Sequence, residues 1–238
     1  MNIYRKAKEL IFRGFFKNAR LSFAQSGEDM ILATILCQVK KGFYVDIGAN
    51  NPYIQSNTHF FYKNGWRGIN IDVLPNSMKT FKKIRKNDIN LEIAISDKEE
   101  HLQYFMFSSS FYNTFSSEAV EETKKVSEFI GVQKLRTQKL SDIFGNYNVK
   151  EIDFMSVDVE GYDLQVLKSN NWNKYRPKII ITEYYAKELN NIKNDEIYKL
   201  MDANGYIYFC NTPTNVFYIE HNYFITRYEN NSKKELHI

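Results

Sequence analysis

The sequence is poor in cysteine and proline, which number two and four among 238 residues. Neither Cys37 nor Cys210 has a metal-ligating neighbour at short spacing, so no cysteine-based metal site is expected. Two buried free thiols are the expected state, and they favour a reducing, cytoplasmic compartment. Because proline-rich linkers and internal repeats are also lacking, the chain predicts one compact domain, with or without a small appendage.

Long hydrophobic runs and a concentrated basic face are lacking as well. No stretch reaches the ~18 consecutive apolar residues of a membrane span. The 32 Lys and Arg residues exceed the 28 Asp and Glu residues only modestly. That excess does not predict a nucleic-acid partner, although it is compatible with weak attraction to anionic nucleotides, phosphosugars or lipid surfaces.

Basic residues interrupt the apolar positions of the N-terminal segment 1–22, which excludes a signal peptide. The spacing of its apolar residues predicts an amphipathic helix that covers the domain. The alternative is a helix that contacts a partner or a membrane surface. Residues 23–228 are the predicted folded domain, and 229–238 are predicted to be a loose tail.

Short apolar runs alternate with amphipathic segments along most of the chain, which predicts an α/β fold. The predicted core strands cover residues 43–47, 68–71, 91–95, 152–157 and 178–182. The predicted helices cover residues 27–39, 57–64, 75–85, 161–168 and 195–203. Residues 101–107 and 132–137 are predicted to be extended, and residues 116–130 are predicted to be helical. Residues 206–209 and 216–219 are predicted to form an antiparallel hairpin. The sheet should therefore be mostly parallel, with one strand reversed by the hairpin.

Three predicted strands end in an acidic residue, at Asp46, Asp72 and Asp158. Asp46 precedes a turn at Gly48, where the missing side chain lets the backbone approach a ligand. Asp72 stands where an acid can bind both hydroxyls of an adenosine ribose. The first turn has one glycine where a dinucleotide site needs three, so a pyrophosphate would be poorly held. The pattern predicts a bound nucleoside, and S-adenosylmethionine is favoured over NAD. The structural alternatives are an ion pair or amide partner for Asp46 and a helix cap for Asp72.

Acidic residues cluster around the end of the fourth core strand. Asp158 and Glu160 are candidate catalytic bases that would accept a proton from a substrate hydroxyl. Together with Glu183, at the end of the next strand, they are candidate ligands for Mg²⁺ or Mn²⁺. His59, just inside the helix after the first strand, is the second candidate base. The structural alternatives are a helix cap for Glu160, a solvated position for Asp163 and a surface position for His59.

Taken together, these segments resemble the FkbM family of S-adenosylmethionine-dependent methyltransferases. The resemblance runs from about Phe23 to Tyr184, and several linked motifs in order make it specific. The motifs are Phe23-Ala-Gln-Ser-Gly-Glu-Asp29, Gly42-Phe-Tyr-Val-Asp-Ile-Gly-Ala-Asn-Asn-Pro52, Ser56-Asn-Thr58, Gly65-Trp-Arg-Gly-Ile-Asn-Ile-Asp72, Arg85-Lys-Asn-Asp-Ile-Asn90, Ala94-Ile-Ser96 and Asp158-Val-Glu-Gly-Tyr-Asp163.

The resemblance implies a class I, Rossmann-like methyltransferase fold with a seven-stranded, mostly parallel sheet and a C-terminal antiparallel hairpin. It places the methionine part of the cofactor at Asp46 and Gly48, the ribose at Asp72, and adenine between Ala94 and Ile95. Further residues expected at the cofactor are Gln25 and Glu28, which would close over it, together with Asn50 and Asp158.

The resemblance further implies methyl transfer to oxygen, and the expected acceptor is a sugar hydroxyl. A nucleotide-activated sugar or a surface-glycan precursor of capsule or lipopolysaccharide is the predicted substrate. Residues 108–130 have the composition of an acceptor lid, with Tyr112, Asn113 and Tyr184 as candidate sugar contacts. Two alternatives stay open, a nicotinamide-dependent sugar oxidoreductase and a non-catalytic nucleoside-binding scaffold. An RNA methyltransferase is disfavoured because a basic face is lacking.

Overall fold

The computed structural model of the protein describes residues 20–109, 112–184 and 191–229. The helices are α1 Glu28–Ile35, α2 His59–Lys63, α3 Met78–Ile84, α4 Val120–Thr123, α5 Leu140–Asn146, α6 Asp163–Lys168, α7 Glu196–Ala203 and α8 His221–Phe224, followed by a π-helical turn Ile225–Glu229. The strands are β1 Phe43–Ile47, β2 Arg67–Asp72, β3 Ile89–Glu92, β4 Ala94–Ile95, β5 His101–Phe107, β6 Phe129–Gln138, β7 Phe154–Val157, β8 Ile179–Glu183, β9 Tyr206–Asn211 and β10 Asn215–Glu220.

Seven of these strands form one sheet in the order β3-β2-β1-β7-β8-β10-β9. Within this sheet the neighbouring strands β3, β2, β1, β7 and β8 pair in parallel. Strand β10 runs antiparallel between β8 and β9. The predicted class is confirmed: an α/β fold with a mostly parallel seven-stranded sheet and a C-terminal antiparallel hairpin.

The central strands are apolar on both faces because each face is covered by a hydrophobic core. Successive side chains of a strand point to opposite faces. Val45 and Met155 therefore join one core cluster, whereas Tyr44 and Phe154 join the other. All four residues of β7 are buried, which fixes the middle of the sheet rigidly beneath its carboxyl edge.

The strand register brings the polar strand ends together. Asp46 of β1 lies opposite Asn70 of β2 on one side and Ser156 of β7 on the other. Because the parallel strands all end at the same edge, the residues that follow Ile47 and Val157 meet there. This edge is where open α/β sheets bind their ligands.

The single strand predicted at residues 91–95 is wrong, because the chain changes sheets at Ile93. Strand β3 pairs with β2 as far as Glu92. Beyond the last residue of β2 no further partner is available in the described part of that sheet, and the Ile93 N–H donates to the Asp72 carbonyl. Strand β4 instead pairs with β6, in a separate three-stranded sheet of order β4-β6-β5.

The helix predicted at residues 116–130 is also wrong over most of its length. Within it α4 spans only Val120–Thr123, and β6 already begins at Phe129. Long-range pairing with β5 overrides the helical preference of the charged residues there. The extended segment predicted at 132–137 is correspondingly a longer strand, Phe129–Gln138.

Helix α5 was not predicted, and its start shows why. Its N-cap residue, Lys139, makes no side-chain capping bond. The Leu140 N–H donates instead to Ser169 Oγ, 29 positions along the chain, over 3.1 Å. A cap supplied from a distant segment leaves no local signal in the sequence.

Both cysteines are free, as predicted, but neither is buried: Cys37 is exposed and Cys210 is half-buried. Helix α1 ends at Ile35, so Cys37 lies in the following turn, where its sulfur accepts a hydrogen bond from Arg227 Nη2 over 3.0 Å. Among the described residues no helix is long and apolar enough to cross a membrane. The helix predicted for 1–22 and the tail 229–238 fall almost entirely outside the described residues.

Candidate active site

A cavity of about 320 Å³ opens at the carboxyl edge of the large sheet. Its size falls within the range of small-molecule sites. The loops after β1, β2 and β7 and the last residue of β8 form its floor, and the small sheet contributes one wall. The lining residues used below are Gln25, Asp46, Gly48, Asn50, Ser56, Asp72, Ala94, Ile95, Tyr104, Asn113, Phe115, Asp158, Glu160, Tyr162 and Glu183.

The turn after β1 requires glycine at position 48 for two reasons. Gly48 has a φ angle of +79°, a conformation that other residues rarely adopt. A Cβ atom built there would also lie 1.7 Å from the carbonyl oxygen of Asp158. The N–H groups of Gly48 and Ala49 both donate to the Ile71 carbonyl over 3.0 Å. The turn is thus held against β2 on one side and against the end of β7 on the other.

Asp72 organises the backbone of the same loop. Its Oδ2 accepts the Asn50 N–H over 2.8 Å, and its Oδ1 accepts the Leu74 N–H over 2.7 Å. Asn50 itself has a left-handed φ of 44°. Burial raises the pKa of Asp72, and these backbone bonds act in the opposite direction. Each carboxylate oxygen keeps a second lone pair, so Asp72 retains the capacity to accept hydroxyl groups from a ligand in the cavity.

Asp46 is buried at the cavity floor beside a buried cation. Its Oδ2 accepts a hydrogen bond from Thr58 Oγ1 over 2.6 Å. Arg85 Nη1 in turn donates to the same Thr58 oxygen over 2.6 Å. Burial raises the pKa of Asp46, whereas the Arg85 charge and the Thr58 bond lower it. Arg85 belongs to one of the sequence motifs of the family, but it was not predicted to lie near the site.

A group of carboxyl side chains with raised pKa values lies on the β7–β8 side of the cavity. Asp158 is solvent-accessible through the cavity, yet protein surrounds it on its other sides, and this desolvation together with Glu183 raises its pKa to about 7. Desolvation, Asp158 and Glu183 raise the pKa of Glu160 to about 8. Such values suit a group that takes up and releases a proton near neutral pH.

Asp163 belongs to the same group, although it was expected to be solvated. It is buried at the start of α6, and its Oδ1 has no hydrogen-bond partner among the described residues. Burial, followed by the charges of Asp158 and Glu183, raises its pKa to about 8. Asp163 is therefore mostly protonated at neutral pH.

The predicted metal set of Asp158, Glu160 and Glu183 is not borne out by the geometry. In the part of the chain that the structure describes, no group of three or more His, Cys, Asp or Glu side chains is arranged to hold a metal ion. Glu160 departs from the strand direction with a left-handed φ of 52°. The three carboxyl groups influence one another electrostatically, but they do not converge on one point.

His59 and Glu28 lie elsewhere than their predicted roles require. His59 is buried, and its ring centroid lies 4.6 Å from that of Phe23 and 5.3 Å from that of Tyr53. It is not among the described lining residues. Glu28 is fully buried and also lies outside the described lining. Its Oε1 accepts hydrogen bonds from Thr212 Oγ1 and Asn215 Nδ2, which joins α1 to the C-terminal hairpin.

Part of the cavity lining is aromatic, a feature that was not predicted from the sequence. Phe115 lies 4.9 Å from Tyr104 and 5.2 Å from Tyr162, measured between ring centroids. Asn113 lines the cavity beside them, whereas Tyr112 is exposed and, like Tyr184, is not among the described lining residues. These rings come from β5, the following loop and the turn before α6, so only tertiary structure brings them together.

Residues 46–208 match the Methyltransferase FkbM domain, which is more than half of the chain. The chain belongs to the FkbM methyltransferase family. The match begins at Asp46, within β1, and ends within β9; it includes β2, β3, β7 and β8 of the large sheet in full and leaves out β10. It makes the protein an S-adenosylmethionine-dependent methyltransferase, and it decides against the nicotinamide-dependent oxidoreductase and the non-catalytic scaffold.

Solved structures similar to this FkbM methyltransferase are also methyltransferases. The FkbM methyltransferase of Methylobacillus flagellatus KT aligns with 12% identity and a TM-score of 0.45 over 75% of this chain and 44% of that one. A methyltransferase of Geobacter sulfurreducens aligns with 10% identity and a TM-score of 0.45 over 93% of this chain and 90% of that one. A TehB-like S-adenosylmethionine-dependent methyltransferase of Corynebacterium glutamicum aligns with 8% identity and a TM-score of 0.42 over 92% of this chain and 100% of that one. No curated protein matches the sequence significantly.

The cavity of this FkbM methyltransferase fits S-adenosylmethionine, the cofactor expected for the family. A buried carboxyl group at Asp46 suits an ammonium group, and Asp72 suits a ribose. Ala94 and Ile95, the residues predicted to flank adenine, line the same cavity. Gln25, Asn50 and Asp158 line it as well, whereas Glu28 is not among the described lining residues. When bound, the cofactor supplies an electrophilic methyl group.

Proposed function

We propose that this methyltransferase methylates a sugar hydroxyl, most favourably in a neutral surface-glycan precursor such as one of capsule or lipopolysaccharide. The observation that carries the proposal is that Asp158 and Glu160 line the same cavity as the aromatic rings of Tyr104 and Phe115. The acids are positioned to accept a hydroxyl proton. Aromatic faces and an amide at Asn113 are the groups on which a pyranose ring packs and hydrogen-bonds.

The residues of the chain perform two tasks in the proposed reaction. Tyr104, Phe115 and Asn113 hold the acceptor so that its hydroxyl oxygen faces the methyl group, and this positioning supplies most of the rate. The carboxylate of Asp158, with Glu160 beside it, would accept the hydroxyl proton, and the bound cofactor would supply the methyl group that replaces this proton. S-adenosylhomocysteine and the methyl ether are the products, so charge and atoms balance.

The charge of the cavity bears on the choice of acceptor. The described lining includes five acidic residues and no Lys, Arg or His; the acids are Asp46, Asp72, Asp158, Glu160 and Glu183. A diphosphate next to these groups would be repelled, particularly in a cavity shielded from water. A neutral glycan hydroxyl is therefore favoured at this rim over a nucleotide-activated sugar.

The proposal is tested by transfer of labelled methyl from S-adenosylmethionine to a matched acceptor panel. The panel contains neutral oligosaccharides, the corresponding deoxysugars, nucleotide-diphosphate sugars, amines and a structured RNA. Incorporation into neutral sugars, lost in the matching deoxysugar and stable to mild alkali as an ether, is the expected result. Incorporation only into amines, alkali-labile carboxyl esters or RNA would contradict it.

The reaction is expected to accelerate as the pH rises through about 7 to 8, because the ionised carboxylate is the form that accepts the proton. Asp158 has a pKa of about 7 and Glu160 a pKa of about 8. Glu183 raises both pKa values, so Glu183→Gln should lower them and move the acid limb of the profile roughly half a pH unit or more downward. The measurement is kcat against pH for an acceptor found in the panel.

Glu196→Gln is the matched control for this profile, since Glu196 is an exposed residue of α7 that pairs with Lys199. Its profile should coincide with that of the wild type. An acid limb that stays in place in Glu183→Gln would show that the titrating group is not on this rim.

A further inference from the structure

Arg85 is fully buried and its guanidinium group is surrounded by neutral acceptors. Nη1 donates to Thr58 Oγ1 over 2.6 Å and to Asn70 Oδ1 over 3.0 Å. Nη2 donates to the Pro52 carbonyl and to Ser56 Oγ, each over 2.8 Å. Burying a cation without a directly bonded carboxylate is costly, so this arrangement needs a physical reason.

The reason is that two of these acceptors, Thr58 and Asn70, also donate hydrogen bonds to buried or half-buried aspartates. Thr58 Oγ1 donates to Asp46 Oδ2, and Asn70 Nδ2 donates to Asp88 Oδ2. A guanidinium can only donate, and an ionised carboxylate can only accept. The single Thr58 hydroxyl proton is consequently directed at Asp46, which orients that carboxylate and favours its ionised form.

The same guanidinium also fixes the loop between β1 and α2. Three of its four acceptors, Pro52, Ser56 and Thr58, belong to this loop. Ser56 itself and Asn50 of the same loop line the cavity. Ser56 is tied at a second point, where its N–H donates to the Phe23 carbonyl over 2.9 Å. Arg85 thus links the floor of the cavity to α3, although it does not itself line the cavity.

We propose that Arg85 is a positioning residue for the amino-acid end of the cofactor, acting through the Thr58 hydroxyl on Asp46. The inference rests on the assignment of the cofactor ammonium group to Asp46, and not on the identity of the acceptor. Burial and the nearby Asp72 push Asp46 toward its neutral form, and Arg85 with Thr58 counteracts them. A neutral Asp46 would bind an ammonium group poorly.

Two ligands separate this role from a general structural one. S-adenosylhomocysteine carries the amino-acid end, whereas 5′-methylthioadenosine has the same adenosine without it. Thr58→Val keeps the shape of the side chain but removes the hydroxyl. It should weaken S-adenosylhomocysteine binding at least tenfold, with the loss increasing as the pH falls and Asp46 becomes protonated, while affinity for methylthioadenosine stays within about twofold.

Thr58→Ser retains the hydroxyl and should restore both the affinity and its pH dependence. Arg85→Lys, which keeps the charge but not the fork, should show the same split between ligands and serves if Thr58→Val fails to fold. Calorimetric titration of each full-length variant gives the dissociation constants, and thermal unfolding establishes that it is folded.

Equal losses for the two ligands would assign Arg85 to loop stability alone and overturn the inference. Unchanged binding of both ligands in Thr58→Val would overturn it as well. Failure of the wild-type protein to bind S-adenosylhomocysteine would instead remove the cofactor assignment on which it rests. Absence of a sugar acceptor would contradict only the proposed function, since these titrations need no acceptor.

Discussion

Replacing Asp158 by asparagine is expected to lower turnover about a hundredfold or more, the usual contribution of a general base. Asparagine keeps the shape of the side chain but cannot take up the hydroxyl proton. The Asp158 N–H bond to the Ile47 carbonyl, 3.0 Å long, belongs to the backbone and survives the change. Cofactor affinity should therefore stay within a few-fold of the wild type.

The measurement is single-turnover methyl transfer to an identified acceptor, alongside titration with S-adenosylhomocysteine. Glu160→Gln is the informative companion variant, because Glu160 lies on the same rim with a raised pKa. If Asp158→Asn keeps its turnover and Glu160→Gln loses it, the base is Glu160. If both variants and His59→Ala stay active, positioning alone carries the reaction and no base on this rim is needed.

The sequence predicted those parts of the site that depend on local signals. Asp46, Asp72 and Asp158 each follow a short apolar strand, and parallel strands necessarily end at one edge of the sheet. All three line the same cavity. Their positions follow from the pattern of apolar residues and the order of the strands, without knowledge of any long-range contact.

Features that depend on contacts between distant segments were not predictable in this way. Arg85 looks like an ordinary basic residue at the end of α3, and only the fold buries it against the loop at 52–58. Glu28 looks like a cofactor contact in sequence, but it bonds Thr212 and Asn215 about 185 residues later. The predicted metal set failed for a related reason, since sharing a rim does not fix where carboxyl groups point.

The second sheet shows the same limit for secondary structure. The charged residues before Phe129 favour a helix by composition, and the segment 126–130 has no turn signal that would contradict it. Pairing with β5 decides its conformation. Tyr104 reaches the cavity from β5, which was predicted to be extended, and Phe115 from the segment 108–130, which was predicted to be an acceptor lid.

Replacing Gly48 by alanine is expected to damage both the fold and the site. An alanine at a φ of +79° costs roughly 1–2 kcal/mol through backbone strain. Its Cβ would in addition lie 1.7 Å from the Asp158 carbonyl oxygen, a backbone atom that can move only if the end of β7 moves with it. Overpacking of this kind typically adds about 1–3 kcal/mol, and the displaced Asp158 should abolish measurable turnover.

Gly65→Ala is a matched control, because it isolates the steric part of this effect. Gly65 has a similar φ of +91°, but a Cβ there meets nothing within 4 Å. The two variants share the backbone strain, so the difference between their free energies of unfolding, measured in urea, reports the contact with Asp158. That difference should be roughly 1–3 kcal/mol, and only Gly48→Ala should lose affinity for S-adenosylhomocysteine. Equal unfolding free energies with intact binding in both would mean that the turn after β1 yields to a side chain, and that its close approach to β7 is not what shapes the cavity.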